Sequence, residues 1–223
     1  MQTSGFPSEK QNAEKASAAA RPLPGTNTLS AVNEASWEEL EELVRNCKNC
    51  PLHASGRIQT VFGAGNRSAE LMFVGEGPGG DEDKQGLPFV GRAGELLTRM
   101  INAMQFSRND VYIANIVKCR PPLNRAPEEM EGNTCLPFVC RQIELVQPKV
   151  IVLLGATPLK YLLRLSGITK LRGHWLEYKG IKVMPTFHPA YLLRNESMKA
   201  PVWKDLQAVM QVFGKKPPAG RKT

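Results

Sequence analysis

The chain has 223 residues, with 29 Lys and Arg against 21 Asp and Glu, a formal charge of +8 and a sequence pI near 9.4. That length suits one α/β domain with a core of its own, and the basic balance favours an anionic partner, nucleic acid first, because no amphipathic basic helix points to a membrane surface. No run approaches a membrane span and the N-terminus lacks the apolar centre of a signal peptide, so a cytoplasmic chain is expected, in which five cysteines do not make a disulfide framework.

Residues 1 to about 30 are rich in Ala, Ser, Pro, Gln and Lys, too poor in aliphatics to repay ordering, and read as a disordered arm ending near residue 33. The domain, 34–214, opens at Ser36, an N-cap with Glu39 completing a capping box ahead of Trp37, Leu40, Leu43 and Val44 at helical spacing. This helix runs into Cys47 and Cys50. "LMFVGE" (71–76) reads as a buried strand, "AGELLTRMINAMQF" (93–106) as a helix and "VYIANIV" (111–117) as a second strand. A helix follows over 128–147 with an irregularity at Pro137, then a strand at 149–155, a helix in "ATPLKYLLRL", and two strands joined near Lys179 and Gly180. A helix over 201–213 closes the domain, and residues 215–223 read as a basic disordered tail.

Strands alternating with helices predict a mostly parallel sheet covered on both faces, with ligands at the carboxyl ends of the strands. Gly75, Asn115, Gly155 and His188 all fall there.

"GEGPGG" (75–80) satisfies the glycine pattern of a dinucleotide turn. Such a turn needs a helix starting within the glycines, whereas Pro78 interrupts this one. Glu76, Asp81, Glu82 and Asp83 would surround a pyrophosphate with like charge, and Glu95, where the ribose-binding carboxylate would be sought, lies within a predicted helix. The nucleotide reading is rejected. What remains is a flexible backbone able to approach a flat ligand, beside carboxylates that can accept hydrogen bonds or position water. Phe89, in the following loop, is by itself either a stacking platform or a core plug.

Cys47 and Cys50 form C-x-x-C at a helix end, with Cys119 and Cys135 further on. The four could hold zinc or an iron–sulfur cluster; isolated third and fourth ligands suit a four-iron cluster better, but spacing does not decide it. Cys140 reads as a core residue.

Together, "GEGPGGDEDKQGLPFVGRAGELL", "ANIVKCRPPLNRAPEEME", the four-cysteine spacing and "HPAYLLR" closely resemble the family 4 uracil-DNA glycosylases, over roughly residues 36 to 213. The resemblance implies an α/β/α sandwich around a four-stranded, mostly parallel sheet and a [4Fe-4S] cluster on Cys47, Cys50, Cys119 and Cys135. It also implies hydrolysis of the N-glycosidic bond of deoxyuridine flipped out of DNA, by a monomer that leaves an abasic site to downstream repair proteins.

By the same resemblance, Phe89 stacks on the base and Asn115 pairs with uracil O4 and N3–H. Asn124 is a second matched position, with an Asx-turn as the plainer reading. His188 donates to uracil O2 as charge develops, helped by the backbone of Glu76 and Gly77, and Glu76 positions water or stabilises the cationic sugar. The best-known branch carries Asp at the place of Gly77 and a thymine-excluding Tyr at the place of Gly79, which leaves Glu82 as the candidate to fill that space. Arg194, Arg120 and Arg125 are expected at phosphates, and Leu192, between Tyr191 and Leu193, as an apolar wedge. The rivals are a DNA-crosslinking branch, whose inserted histidine is missing after Asn115, and a noncatalytic cluster-bearing DNA-binding module such as one feeding a polymerase.

Overall fold

A computed structural model of the chain describes residues 29–217. Strand β2 (Leu71–Gly75) lies at the centre of a six-stranded sheet, pairing in parallel with β3 (Val111–Asn115) on one side and β4 (Val150–Leu154) on the other. Outside β4, β6 (Ile181–Thr186) continues the parallel set, and two short antiparallel strands finish the edges: β1 (Ala64–Gly65) against β3, and β5 (Leu176–Tyr178) against β6. The expected four parallel strands are therefore present, and the edge strands enlarge the sheet. β5 is the first of the two strands expected around Lys179, whereas β1, only two residues long, gave no periodicity to read.

Every residue of β2, β3 and β4 is buried, and alternate side chains feed two separate cores. Leu71, Phe73, Ile113, Val152 and Leu154 face one core; Met72, Val74, Ala114, Ile151 and Leu153 face the other. The first core is closed by α4 (Arg92–Ala103), α8 (Pro189–Leu192) and α9 (Lys199–Val212), the second by α1 (Leu29–Glu34), α2 (Trp37–Arg45), α5 (Glu129–Val146) and α6 (Ala156–Leu163). The sandwich has three layers because each helix has one apolar stripe and the sheet has two faces.

Glu39 and Ser36 cap α2 reciprocally, at 3.3 and 2.8 Å. Helix α5 runs its 18 residues through Pro137 without a break, Phe138 and Val139 just beyond it being fully packed. Two boundaries move. Helix α1 packs Val32 against the core, so residues 29–33, expected within the arm, belong to the folded body; the rest of the expected arm, residues 1–28, lies outside the described ones. At the other end Lys215 donates to the Gln105 carbonyl and lies 4.4 Å from the Phe106 ring, and the Lys216 carbonyl accepts from Gln105; residues 218–223 lie outside the described ones.

The chain passes from β2 to β3 through α4 and from β4 to β6 through α6, in opposite directions and on opposite faces, so the crevice between the C-terminal ends of β2 and β4 is the natural ligand site.

Beneath it, buried Asp205 of α9 accepts from Thr186 at 2.6 Å and from Arg172, fixing the end of β6 that leads to His188. Asp205→Ala would leave the Arg172 guanidinium without its carboxylate, a loss of about 3 kcal/mol and roughly 6–12 °C in Tm, measurable by thermal and urea unfolding.

Candidate active site

The strand ends enclose a cavity of about 510 Å³. Its walls bring together Glu76, Gly77, Phe89, Asn115 and His188 from four segments of the chain, with Asn124 and Arg194 also lining it. Arg92, which stands in the glycine-rich stretch but has no role expected of it, and Ala156 line it too.

Gly75, the last residue of β2, sets the floor. A Cβ there would meet Asn115 Oδ1 at 2.5 Å and the Phe89 ring at 2.6 Å, so the ring and the carboxamide close on a bare α-carbon. Asn115 is 2 % exposed, and its Oδ1 is buried without a hydrogen-bond partner. An orphaned buried acceptor costs about 1–3 kcal/mol unless a ligand satisfies it.

Phe89 sits at φ +54°, a strained conformation for a bulky residue. Arg108 holds it there, donating to the Pro88 and Phe89 carbonyls at 2.8 and 3.1 Å, while Gly94 leaves room for the Phe89 carbonyl. The ring lies 5.5 Å from that of His188, 33° off parallel, leaving one flat wall.

His188 caps the short helix α8, its Nδ1 accepting the Ala190 N–H at 3.1 Å. The ring proton therefore resides on Nε2, the nitrogen free to donate to a cavity occupant. Burial, reinforced by the Arg194 charge and opposed by Glu82, pulls the imidazole down to about 4, so it is neutral at physiological pH.

Four carboxylates stand in the glycine motif, and the structure separates them. Asp83 is fully buried and accepts from the Ile58 and Gln59 N–H groups. Glu82 accepts from the Gly79, Val90 and Gly91 N–H groups at 3.0 to 3.1 Å, bolting the motif to the Phe89 loop. Glu76, Asp81 and Glu82 all line the cavity, and Glu76 accepts from the Thr157 hydroxyl at the start of α6. The expectation that Pro78 prevents a helix start was wrong: α3 (Gly80–Gln85) begins inside the glycine cluster, although Glu82 occupies the N–H of its cap residue, Gly79.

Other residues expected to meet DNA or the base are engaged elsewhere, although Asn124 and Arg125 still line the cavity. Leu192 is 1 % exposed and packs into the core with Phe187, so it is not an accessible wedge. Arg125 is bound by both oxygens of Glu131 at 2.7 and 2.8 Å and by Glu128, leaving it no free fork for phosphate. Arg120 donates to Asn124 Oδ1 at 2.8 Å and lies over Gly80, which gives Asn124 a local turn role on the cavity rim. Next to it Leu123, held at φ +55° between the turns closed on Pro121 and Pro122, is 97 % exposed.

Cys47, Cys50, Cys119 and Cys135 line a second, smaller pocket, with Arg57 and Lys118. Cys140 is not part of it and accepts from the Tyr178 hydroxyl. Arg57 donates to Cys119 Sγ at 2.7 Å and to the Cys47 carbonyl at 2.9 Å, and the Lys118 N–H to Cys135 Sγ at 3.3 Å. Burial pushes all four thiols up, Cys119 to about 11. Among the described residues no group of three or more His, Cys, Asp or Glu is poised around a metal-ion position; what the four cysteines share is one pocket lined with N–H donors.

Residues 62–207 match the family model of the uracil DNA glycosylase superfamily. The chain is 50 % identical over 167 residues to a type-4 uracil-DNA glycosylase of Thermotoga maritima, covering 74 % of this chain and 86 % of that protein. It is 44 % identical over 187 residues to one of Sulfurisphaera tokodaii, covering 79 % and 84 %. A segment amounting to 17 % of a DNA polymerase of Bacillus phage SP01 is 31 % identical over 157 residues, 70 % of this chain.

Because the unfolded histidine protonates near 6.5 and the folded one near 4, acid loads the unfolded state first. The contribution of His188 to stability is thus complete above pH 6.5 and is lost as the pH falls toward 4, and a ¹⁵N NMR titration should show the Nε2–H tautomer and a midpoint near 4.

Proposed function

This chain belongs to the uracil-DNA glycosylase superfamily, and from that premise we propose that it hydrolyses the N-glycosidic bond of deoxyuridine in DNA, leaving an abasic site for base excision repair. The observation that carries the reading to particular atoms is the unpaired, buried Oδ1 of Asn115 beside the Phe89 ring. A uracil rotated out of the stack offers N3–H to that oxygen and O4 to the carboxamide N–H. With the carboxamide in this orientation cytosine leaves both groups facing like partners, and a buried mismatch of this kind is what gives a site strong discrimination.

Phe89 supports the face of the base. His188, neutral and protonated on Nε2, donates to O2, where negative charge gathers as the glycosidic bond breaks. A neutral donor keeps its proton during this step and stabilises the leaving uracil anion by hydrogen bonding. Of the motif carboxylates, Glu76 is assigned to the water or the cationic sugar: Glu82 and Asp83 are occupied by backbone N–H groups, and Thr157 orients Glu76 by holding one of its oxygens. Glu82 thus becomes a positioning residue for the wall that carries Phe89. On the DNA side Arg194 and Arg92 reach phosphate. Leu123 takes the wedge position in place of Leu192, since it is 97 % exposed and adjoins Asn124, which lines the cavity.

The four cysteines are the proposed ligands of a [4Fe-4S] cluster, which would hold the 47–50 segment and α5 to the strand end that carries Asn115. N–H donors aimed at sulfur fit thiolate ligands, whose charge they stabilise. When bound, the cluster supplies structural cross-linking to this face. Iron and sulfide analysis tests it; stoichiometric zinc without iron would replace the assignment.

Incubation with single-stranded and duplex oligonucleotides carrying one uracil, followed by alkali, should cleave both. Strands left intact under all conditions would point instead to a noncatalytic module, and a denaturation-resistant protein–DNA band to a crosslinking one. Asn115→Ala and His188→Ala should each lower single-turnover excision about 10²- to 10³-fold. Gly75→Ala, whose methyl group would displace Phe89 or Asn115, should do comparable damage while circular dichroism shows the sheet intact.

A further inference from the structure

Lys118 is 1 % exposed, among the least accessible side chains of its size. Its ammonium donates to the carbonyls of Phe62 and Asn115, each at 3.0 Å, and to Gln142 Oε1 at 2.6 Å. All three acceptors are neutral. Among the described residues no carboxylate pairs with Lys118, nor with its neighbour in the cysteine pocket, Arg57, whose partners are a cysteine sulfur and a carbonyl. A buried cation without a counter-charge is strongly disfavoured, so chains either pair it or omit it. Four thiolates around a doubly charged iron–sulfur core leave a net negative charge, and Lys118 and Arg57 are placed to balance it.

Lys118 differs from Arg57 in what else it holds. The stretch from Asn115 to Cys119 spans at most about 14 Å of extended chain, with the uracil-reading carboxamide at one end and a cluster cysteine at the other. Its middle is stitched to the glycine motif by Ile116 and Val117 N–H bonds to the Gly75 and Glu76 carbonyls. The Lys118 ammonium grips the backbone of Asn115, while the backbone N–H of Lys118 donates to Cys135 Sγ. We propose that Lys118 is a positioning residue joining the two sites: it supplies positive charge beside the thiolates of a bound cluster and, through the Asn115 carbonyl, fixes the wall that reads the base. This rests on the cluster and uracil readings above.

The test uses the purified, iron-loaded full chain. In Lys118→Met, iron should pass to a chelator 10- to 100-fold faster, the range typical of lost outer-shell contacts, and the cluster's reduction potential should fall, because removing a nearby positive charge disfavours the reduced form. Uracil excision should drop at least tenfold in single-turnover rate with DNA affinity retained, and adding Asn115→Ala should cost much less than it does alone. Arg57→Gln, which touches the cysteines and not Asn115, should share the cluster effects, and combined with Asn115→Ala its loss of excision should multiply with the Asn115 loss instead of overlapping it. Should the Met variant not fold, Lys118→Gln removes the charge while keeping an N–H donor for the carbonyls; its potential should still fall. An unchanged potential and iron-release rate, or Lys118 and Asn115 losses that multiply independently, would overturn the proposal by itself. Wild-type protein without iron would overturn it together with the cluster reading.

Discussion

Nothing larger than a hydrogen atom fits on the α-carbon of Gly75, and the candidate site is arranged around that restriction. The Phe89 ring and the Asn115 carboxamide meet over a strand end that has no side chain to keep them apart. Each is held by a separate device: Arg108 and Glu82 fix the loop of Phe89, and Asn115 stands in register with Gly75 across the parallel β2–β3 ladder. A flat pocket wall is thereby made from rigid elements, with only one loop residue, Phe89, held in a strained conformation to complete it.

The acidic motif that excluded a pyrophosphate has a division of labour. Carboxylates at a strand end can be ligands, bases or braces, and the backbone decides which. Glu82 and Asp83 accept N–H groups from neighbouring segments and so act as braces. Glu76, gripped by one hydroxyl, keeps a face toward the cavity. The same principle sorts the arginines: Arg125 is neutralised by Glu131, whereas Arg194 stands exposed at the rim.

The layered architecture was legible because fully apolar five-residue strands and amphipathic helices leave strong periodic signals, and the capping box at Ser36 announced its helix directly. Strand-end positions such as Asn115 and His188 could be placed for the same reason. Burial of single side chains was not legible: Leu192 and Leu193 look alike in a string, and only the packing of α8 against Phe187 turns the first inward. Nor could the sequence reveal Thr157, Arg108, Lys118 or Asp205, since an ordinary polar residue becomes a support only when the fold brings a distant partner within reach. Strand β1 escaped because two residues cannot show alternation.

That strand, with β5 at the opposite margin, has a bearing on how the molecule meets others. The two edges of the sheet are finished by segments of two and three residues running against the parallel grain. An edge so short offers few unpaired backbone groups to another strand, which guards against self-templating and accretion. For a protein whose partner is a long polymer, edges this blunt leave encounters with other molecules to side chains and not to open backbone.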